Sequence, residues 1–197
     1  HYSNSANRCN EATASANVVT NDMSMYEDVE RSDWPAWDSD GGINPLLLTD
    51  SDLLYAEAMQ FTINGSTVVG FTSRMPEADN GVPYDASRIE AMGTFEFDLK
   101  MTTSPGVTDW KLKFESVGVA TEAEVSLSSS IENHASPLIN VWQHYSFNLS
   151  VLASMGLDLS NIDLVTIFPE YGSGDGAVYR IDNVKFRTNL PQAIPVI

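Results

Sequence analysis

An all-β fold, a β-sandwich jelly roll of two antiparallel sheets, is predicted from two patterns. At least seven segments of five to nine residues alternate apolar with polar side chains, and no segment keeps a helical period through three turns. Turn residues separate the segments, and no regular alternation of strands with long helices would build a parallel sheet.

The strand pattern starts at about residue 22, close to MYEDVE. MQFTINGSTVVGFTSR (59–74) carries alternating apolar residues on both sides of Asn64-Gly65, a dipeptide suited to tight reversal, and is predicted as a hairpin. GTFEFDLKM (93–101) sets Phe95, Phe97 and Leu99 against Thr94, Glu96, Asp98 and Lys100, which predicts one buried and one solvated face. DWKLKFESV (109–117) places Trp110, Leu112 and Phe114 on one side and Lys111, Lys113 and Glu115 on the other. EAEVSLSSS (122–130), WQHYSFNLS (142–150), DLVTIFPEY (163–171) and AVYRIDNVKF (177–186) complete the set. YDASRIEAM (84–92) and SVLASMGLDLS (150–160) suit single helical turns. Trp110 and Trp142 lie in strand patterns and are assigned to the core.

A chain of 197 residues with 43% hydrophobic content can bury one good core, and one domain is expected over residues 22–188. Residues 1–21 read as a polar leader, and residues 189–197, with two prolines, as a tail. Twenty-seven acids against ten bases give a formal charge of −17, which repels phosphate backbones and anionic membrane surfaces. Neither nucleic acid nor membrane is therefore expected as a partner. Cys9 is the single cysteine, so an internal disulfide and a thiolate metal cluster are both excluded. No apolar run approaches the ~20 residues of a membrane span, and no secretory signal opens the chain. The expectation is a secreted, already processed monomer. His1 with His134 or His144 has the residue types of a copper site, but a lone terminal histidine also fits a cleavage remnant.

The search for catalytic chemistry finds no nucleophile elbow, no H-E-x-x-H and no phosphate-binding loop. Glu96-Phe97-Asp98-Leu99-Lys100-Met101 resembles the E-x-D-x-x-E of laminarinase-type glycosidases, with Met101 where the third acid would stand. Without that acid, one of the two carboxylate roles of glycoside hydrolysis is missing, and Glu96 and Asp98 read as a solvated strand face.

Binding is the remaining reading. Trp34 and Trp37, in RSDWPAWDSDGG (31–42), are expected on an exposed connection where indole rings stack on pyranose C–H faces. Arg74, Lys111, Lys113 and Glu115, long charged side chains on polar strand faces, are expected to bond sugar hydroxyls, and Tyr84 joins them as a loop aromatic.

MYEDVE, then WPAWDSDGG, PYDASRIEAMGTFEFDLKM, GLDLS, IFP and YRIDNV follow in an order that covers residues 22–188. This order resembles the galactose-binding-like jelly-roll carbohydrate-binding modules attached to bacterial polysaccharide-degrading enzymes. It is similar in particular to the C-terminal domains of marine exo- and endo-β-glucanases. The resemblance implies a non-catalytic module that binds a polysaccharide for a tethered catalytic domain. A laminarin-like β-1,3-glucan is the first choice, with agarose or alginate, or a jelly-roll lyase or hydrolase, as alternatives. It also implies a structural Ca²⁺ between an acid near the first strand, Glu27 or Asp28, and Asp182 in the last, with Asn183 bonding backbone.

Overall fold

The computed structural model describes residues 23–40, 45–74, 79–106, 109–117 and 121–189. The expected leader, with His1 and Cys9, and all of the expected tail except Asn189 lie outside these ranges. Strands are numbered in chain order. One sheet contains β1 (Met23–Glu27), β2 (Val29–Glu30), β4 (Leu46–Thr49), β5 (Glu57–Thr62), β7 (Gly93–Thr103), β10 (Gln143–Asn148) and β12 (Val178–Thr188). The other contains β3 (Ala36–Asp38), β6 (Val69–Thr72), β8 (Trp110–Ser116), β9 (Thr121–Ser126) and β11 (Ile162–Pro169), in the order β3-β6-β11-β8-β9. All strand pairs are antiparallel, and one short helix, α1 (Leu149–Ser154), follows β10. This is the predicted jelly-roll sandwich.

The alternating apolar residues meet between the sheets. Phe95, Phe97 and Leu99 of β7 and Tyr179, Ile181 and Phe186 of β12 face Leu112 and Phe114 of β8 and Val165 and Ile167 of β11, all buried. Edge-to-face contacts lock the two layers: Phe95 on Phe114 at 4.9 Å and Trp110 on Tyr179 at 4.9 Å between ring centroids. The Tyr179 hydroxyl satisfies itself by donating to the Ile167 carbonyl across the core at 2.5 Å.

Two local expectations are corrected. The Asn64-Gly65 turn does not close a hairpin, because β5 pairs with β4 and β12 in one sheet while β6 pairs with β3 and β11 in the other. Gly65 does adopt the left-handed conformation, at φ 62°. Its segment, however, is held by the 174–177 loop, through Ile63 N–H to the Ala177 carbonyl (2.9 Å) and Gly65 N–H to the Asp175 carboxylate (2.7 Å). The turn chemistry was right and the pairing partner was not. Likewise β7 is not solvated on one face: Glu96, Asp98 and Lys100 are all buried beneath neighbouring loops and strands.

β12 explains the acid and amide in its own middle. Its residues Val178–Ile181 pair with β5, and Val184–Phe186 pair with β1, so one flank changes partner at Asp182-Asn183. The register with β7 also shifts there, and Asn183 takes a left-handed φ of 53°. The Asp182 carboxylate accepts the amide N–H of Asn183 at 2.6 Å and that of Asp28, in the space between the two partner strands. Asn183 donates its side-chain amide to Asp98 at 2.7 Å rather than bonding backbone, a correction to its expected role.

Candidate functional site

Period-two geometry sends the polar residues of the five-stranded sheet to its outer face. Register then assembles a row across all five strands: Trp37 of β3, Gly70 of β6, Thr166 of β11, Lys113 of β8 and Glu124 of β9. Beside it run Phe168 and Lys111 on one flank, and Leu164 and Glu115 on the other. The resulting trough encloses about 400 Å³, with Trp37 and Tyr171 as aromatic walls and Phe168 and Thr166 on its floor. Gly70 keeps that floor low, since it contributes no side chain between Trp37 and Thr166. A second hollow of about 500 Å³ continues past Arg74 and Glu115 towards Thr121 and Glu122.

Arg74 divides the two hollows. Its guanidinium binds Glu115 (2.7 Å) and both oxygens of Asp163 (2.9 Å each). Asp163 is wholly buried, and that burial pushes its carboxyl up, with Arg74 only partly offsetting the effect. Burial also acts on Glu115, but hydrogen bonds from Arg74 and Lys113 prevail and hold it below the usual carboxylate range. Lys113 bridges Glu115 (3.1 Å) and Glu122 (2.8 Å), and Lys111 is held by Asp109 (2.6 Å). Among the described residues every cation of this face is therefore ion-paired, and the trough presents hydrogen-bonding groups with an excess of acids beside aromatic rings.

Of the residues singled out from sequence, Trp37, Arg74, Lys111, Lys113 and Glu115 are brought together on this face. Trp34 is not: it is 1% exposed, and its indole N–H points to the Val82 carbonyl at 3.3 Å. Three residues apart, the two tryptophans part company because Trp34 precedes β3 and packs inward while Trp37 lies within the strand. Tyr84 is also elsewhere, tilted against Phe186 at 4.8 Å with its backbone bridged to Ile162 at the rim of the core. Phe168 was missed, although the alternation of β11 placed it opposite Val165 and Ile167 on the outward side. Tyr171, in the loop that follows β11, is 67% exposed over the trough. Trp142, assigned to the core, is instead only half-buried on the outer face of the seven-stranded sheet, stacked on Tyr55.

Of the two acids implied as alternatives to sit with Asp182, the structure places Asp28 beside it and turns Glu27 away. Glu27 turns to Lys185 at 2.5 Å, while Asp28 and Asp182 stand together at the β12 bulge with backbone amides as partners. Among the described residues, no group of three or more histidine, cysteine, aspartate or glutamate side chains is set to hold a metal. Among those residues, too, no helix is long and apolar enough to cross a membrane.

No family model matches this sequence, and no curated protein matches it. The fold does have relatives of known structure. It is similar to a family 30 carbohydrate-binding module of a cellulosomal cellulase of Clostridium thermocellum, with TM-score 0.61 and 17% identity over 85% of this chain and 97% of the module. It is also similar to a family 11 module from the same organism in complex with a β-1,3-1,4-mixed-linked tetrasaccharide, with TM-score 0.51 and 15% identity over 87% of this chain and 98% of the module. A third match is to an exo-β-agarase, with TM-score 0.57 and 16% identity over 86% of this chain but 25% of that chain. The chain thus has the jelly-roll fold of carbohydrate-binding modules.

Proposed function

We propose that the protein is a non-catalytic carbohydrate-binding module whose five-stranded face holds a neutral β-glucan for an attached, secreted polysaccharide-degrading enzyme. The observation that carries this reading is the trough: aromatic walls over a low floor, rimmed by ion-paired polar groups, on the outer face of a sheet. Trp37 and Tyr171 offer rings to pyranose C–H faces, and Lys113, Glu115 and Arg74 offer donors and acceptors to hydroxyls.

Charge narrows the ligand. Arg74, Lys111 and Lys113 are each bound to carboxylates, and Glu122 and Glu124 add negative charge, so a uronate chain such as alginate meets repulsion. A laminarin-like β-1,3-glucan is the first choice and a mixed-linked β-glucan the second; agarose, also neutral, is the comparison that matters. Glu115 and Asp163, shifted in opposite directions, are the nearest approach to an acid–nucleophile pair. Asp163 is sealed from solvent with both oxygens on Arg74, which leaves it unable to reach a glycosidic oxygen.

Calorimetry against laminarin, mixed-linked β-glucan, agarose and alginate tests the proposal. Binding to a neutral glucan is expected, and Trp37→Ala should weaken it on the order of ten- to thirty-fold, the loss of about 2 kcal/mol typical of an aromatic anchor. Absence of binding to all four would refute it. New reducing ends would replace the binding reading by hydrolysis.

A further inference from the structure

The outer face of the seven-stranded sheet, on the opposite side of the sandwich from the trough, carries a third cavity, shallow and open, of about 740 Å³. Trp142 stands in its wall, together with Lys100, Ser51, Asp52, Leu53 and Asn140. Tyr55 lies flat on the indole, with centroids 4.0 Å apart and planes 15° from parallel. Lys100 places its ammonium 5.2 Å from the indole centroid. Trp142 and Lys100 both line the cavity and Tyr55 does not: Tyr55 covers one face of the indole, and the Lys100 ammonium stands over the ring on the side where the cavity opens.

The indole is held in place from below. Asp50, buried at 3% exposure, accepts from Arg180 (2.6 Å), forms an ion pair with Lys100, and lies 3.5 Å from the Trp142 indole N–H. Burial would raise its carboxyl, yet the hydrogen bonds from Lys100, the Asp52 amide and Arg180 hold it far below the usual range, so it stays ionised. Both cations near the ring are therefore ion-paired with one buried acid, and the Asp52 carboxylate in the lining offsets the one positive charge left over. What the cavity presents is an indole backed by Tyr55 and shared with the Lys100 ammonium, an apolar side in Leu53, and Ser51, Asn140 and Asp52 as hydrogen-bonding residues. A ring with one apolar face and several hydroxyls matches that lining, and an anionic sugar does not.

We propose that this cavity is a second glycan-binding site, taking a neutral hexopyranose unit over Trp142, so that one module holds two chains, or two stretches of one chain, on opposite faces. Two sites on one rigid body raise avidity for a polymer without any new contact. The inference shares only its ligand class with the trough reading, and each can fail alone.

The test is calorimetric titration with hexasaccharides of β-1,3-, β-1,4- and mixed-linked glucan and of agarose, with turbidity of the long polymers as a second readout. The unaltered protein should show two sites and cross-link the polymer. Trp37→Ala should keep one site, and Trp142→Ala should keep the other. Leu53→Ala with Val141→Ala, Val141 being a further lining residue, alters side chains exposed at 89% and 46%, so folding is untouched, and should weaken the second site about ten-fold. A single site that is lost in Trp37→Ala and indifferent to the Leu53/Val141 pair overturns the second site and leaves the trough intact. No binding of any hexasaccharide overturns both.

Discussion

At the scale of single residues, Gly70 shows how close packing shapes a ligand face. A Cβ built there would lie 1.9 Å from the Val165 carbonyl oxygen, a backbone atom that cannot step aside. Gly70→Ala should therefore destabilise the fold by about 2–3 kcal/mol, read as a lower urea midpoint. Asp182 supplies a pH signature. Burial, with the Asp28 and Asp98 carboxylates nearby, pushes it up from 3.8 to about 6. An acid whose folded pKa is raised binds its proton more tightly when folded, so this contribution favours the folded state near pH 4 and is lost as pH rises to about 6. The difference is up to about 3 kcal/mol. His144 acts in the same sense: its hydrogen bond to Asp98 (2.7 Å) raises it, which adds stability below its usual pKa that disappears as pH rises through the folded value. Melting temperatures between pH 5 and 7, above the range where the carboxylates held low such as Glu115 and Asp50 act in the opposite sense, should thus fall with pH, and Asp182→Asn should flatten much of that slope. An unchanged slope would remove Asp182 as its source.

The element that organises the molecule is β12. It is paired with β7 along its length and hands its other flank from β5 to β1 at the Asp182 bulge. Tyr26 of β1 ties the two half-partners together by donating its hydroxyl to the Glu57 carbonyl of β5 at 2.7 Å. With Asp182 satisfied by two backbone amides and Glu27 committed to Lys185, this clasp closes on hydrogen bonds of the chain itself. Melting temperatures in millimolar Ca²⁺ and in excess EDTA are therefore expected to agree within a degree or two. A rise of several degrees in Ca²⁺ would put a cation at Asp28 and Asp182 after all.

For the whole molecule, the net charge of −17 sets a self-repulsion that the core must overcome. Salt screens it, so the melting temperature at neutral pH should rise between 20 mM and 500 mM NaCl, by a few degrees; a fall would mean that the ion pairs around Arg74, Lys113 and Asp50 outweigh the repulsion. Strand positions, the inward rows Phe95/Phe97/Leu99 and Trp110/Leu112/Phe114, and the outward row Lys111/Lys113/Glu115 were legible in the amino-acid order, because a period of two is a local property of extended chain. So was the jelly-roll class, which follows from the number and spacing of such segments. The rest depended on what lies across space. Asn64-Gly65 dictates a reversal, yet only the sheets decide that it joins β5 of one layer to β6 of the other. Identical residue types took opposite fates, with Trp34 sealed against Val82, Trp37 walling the trough and Trp142 backed by Tyr55. Burial, pairing register and the convergence of distant strands are sums over partners far apart in the chain, and short-range pattern carries no term for them.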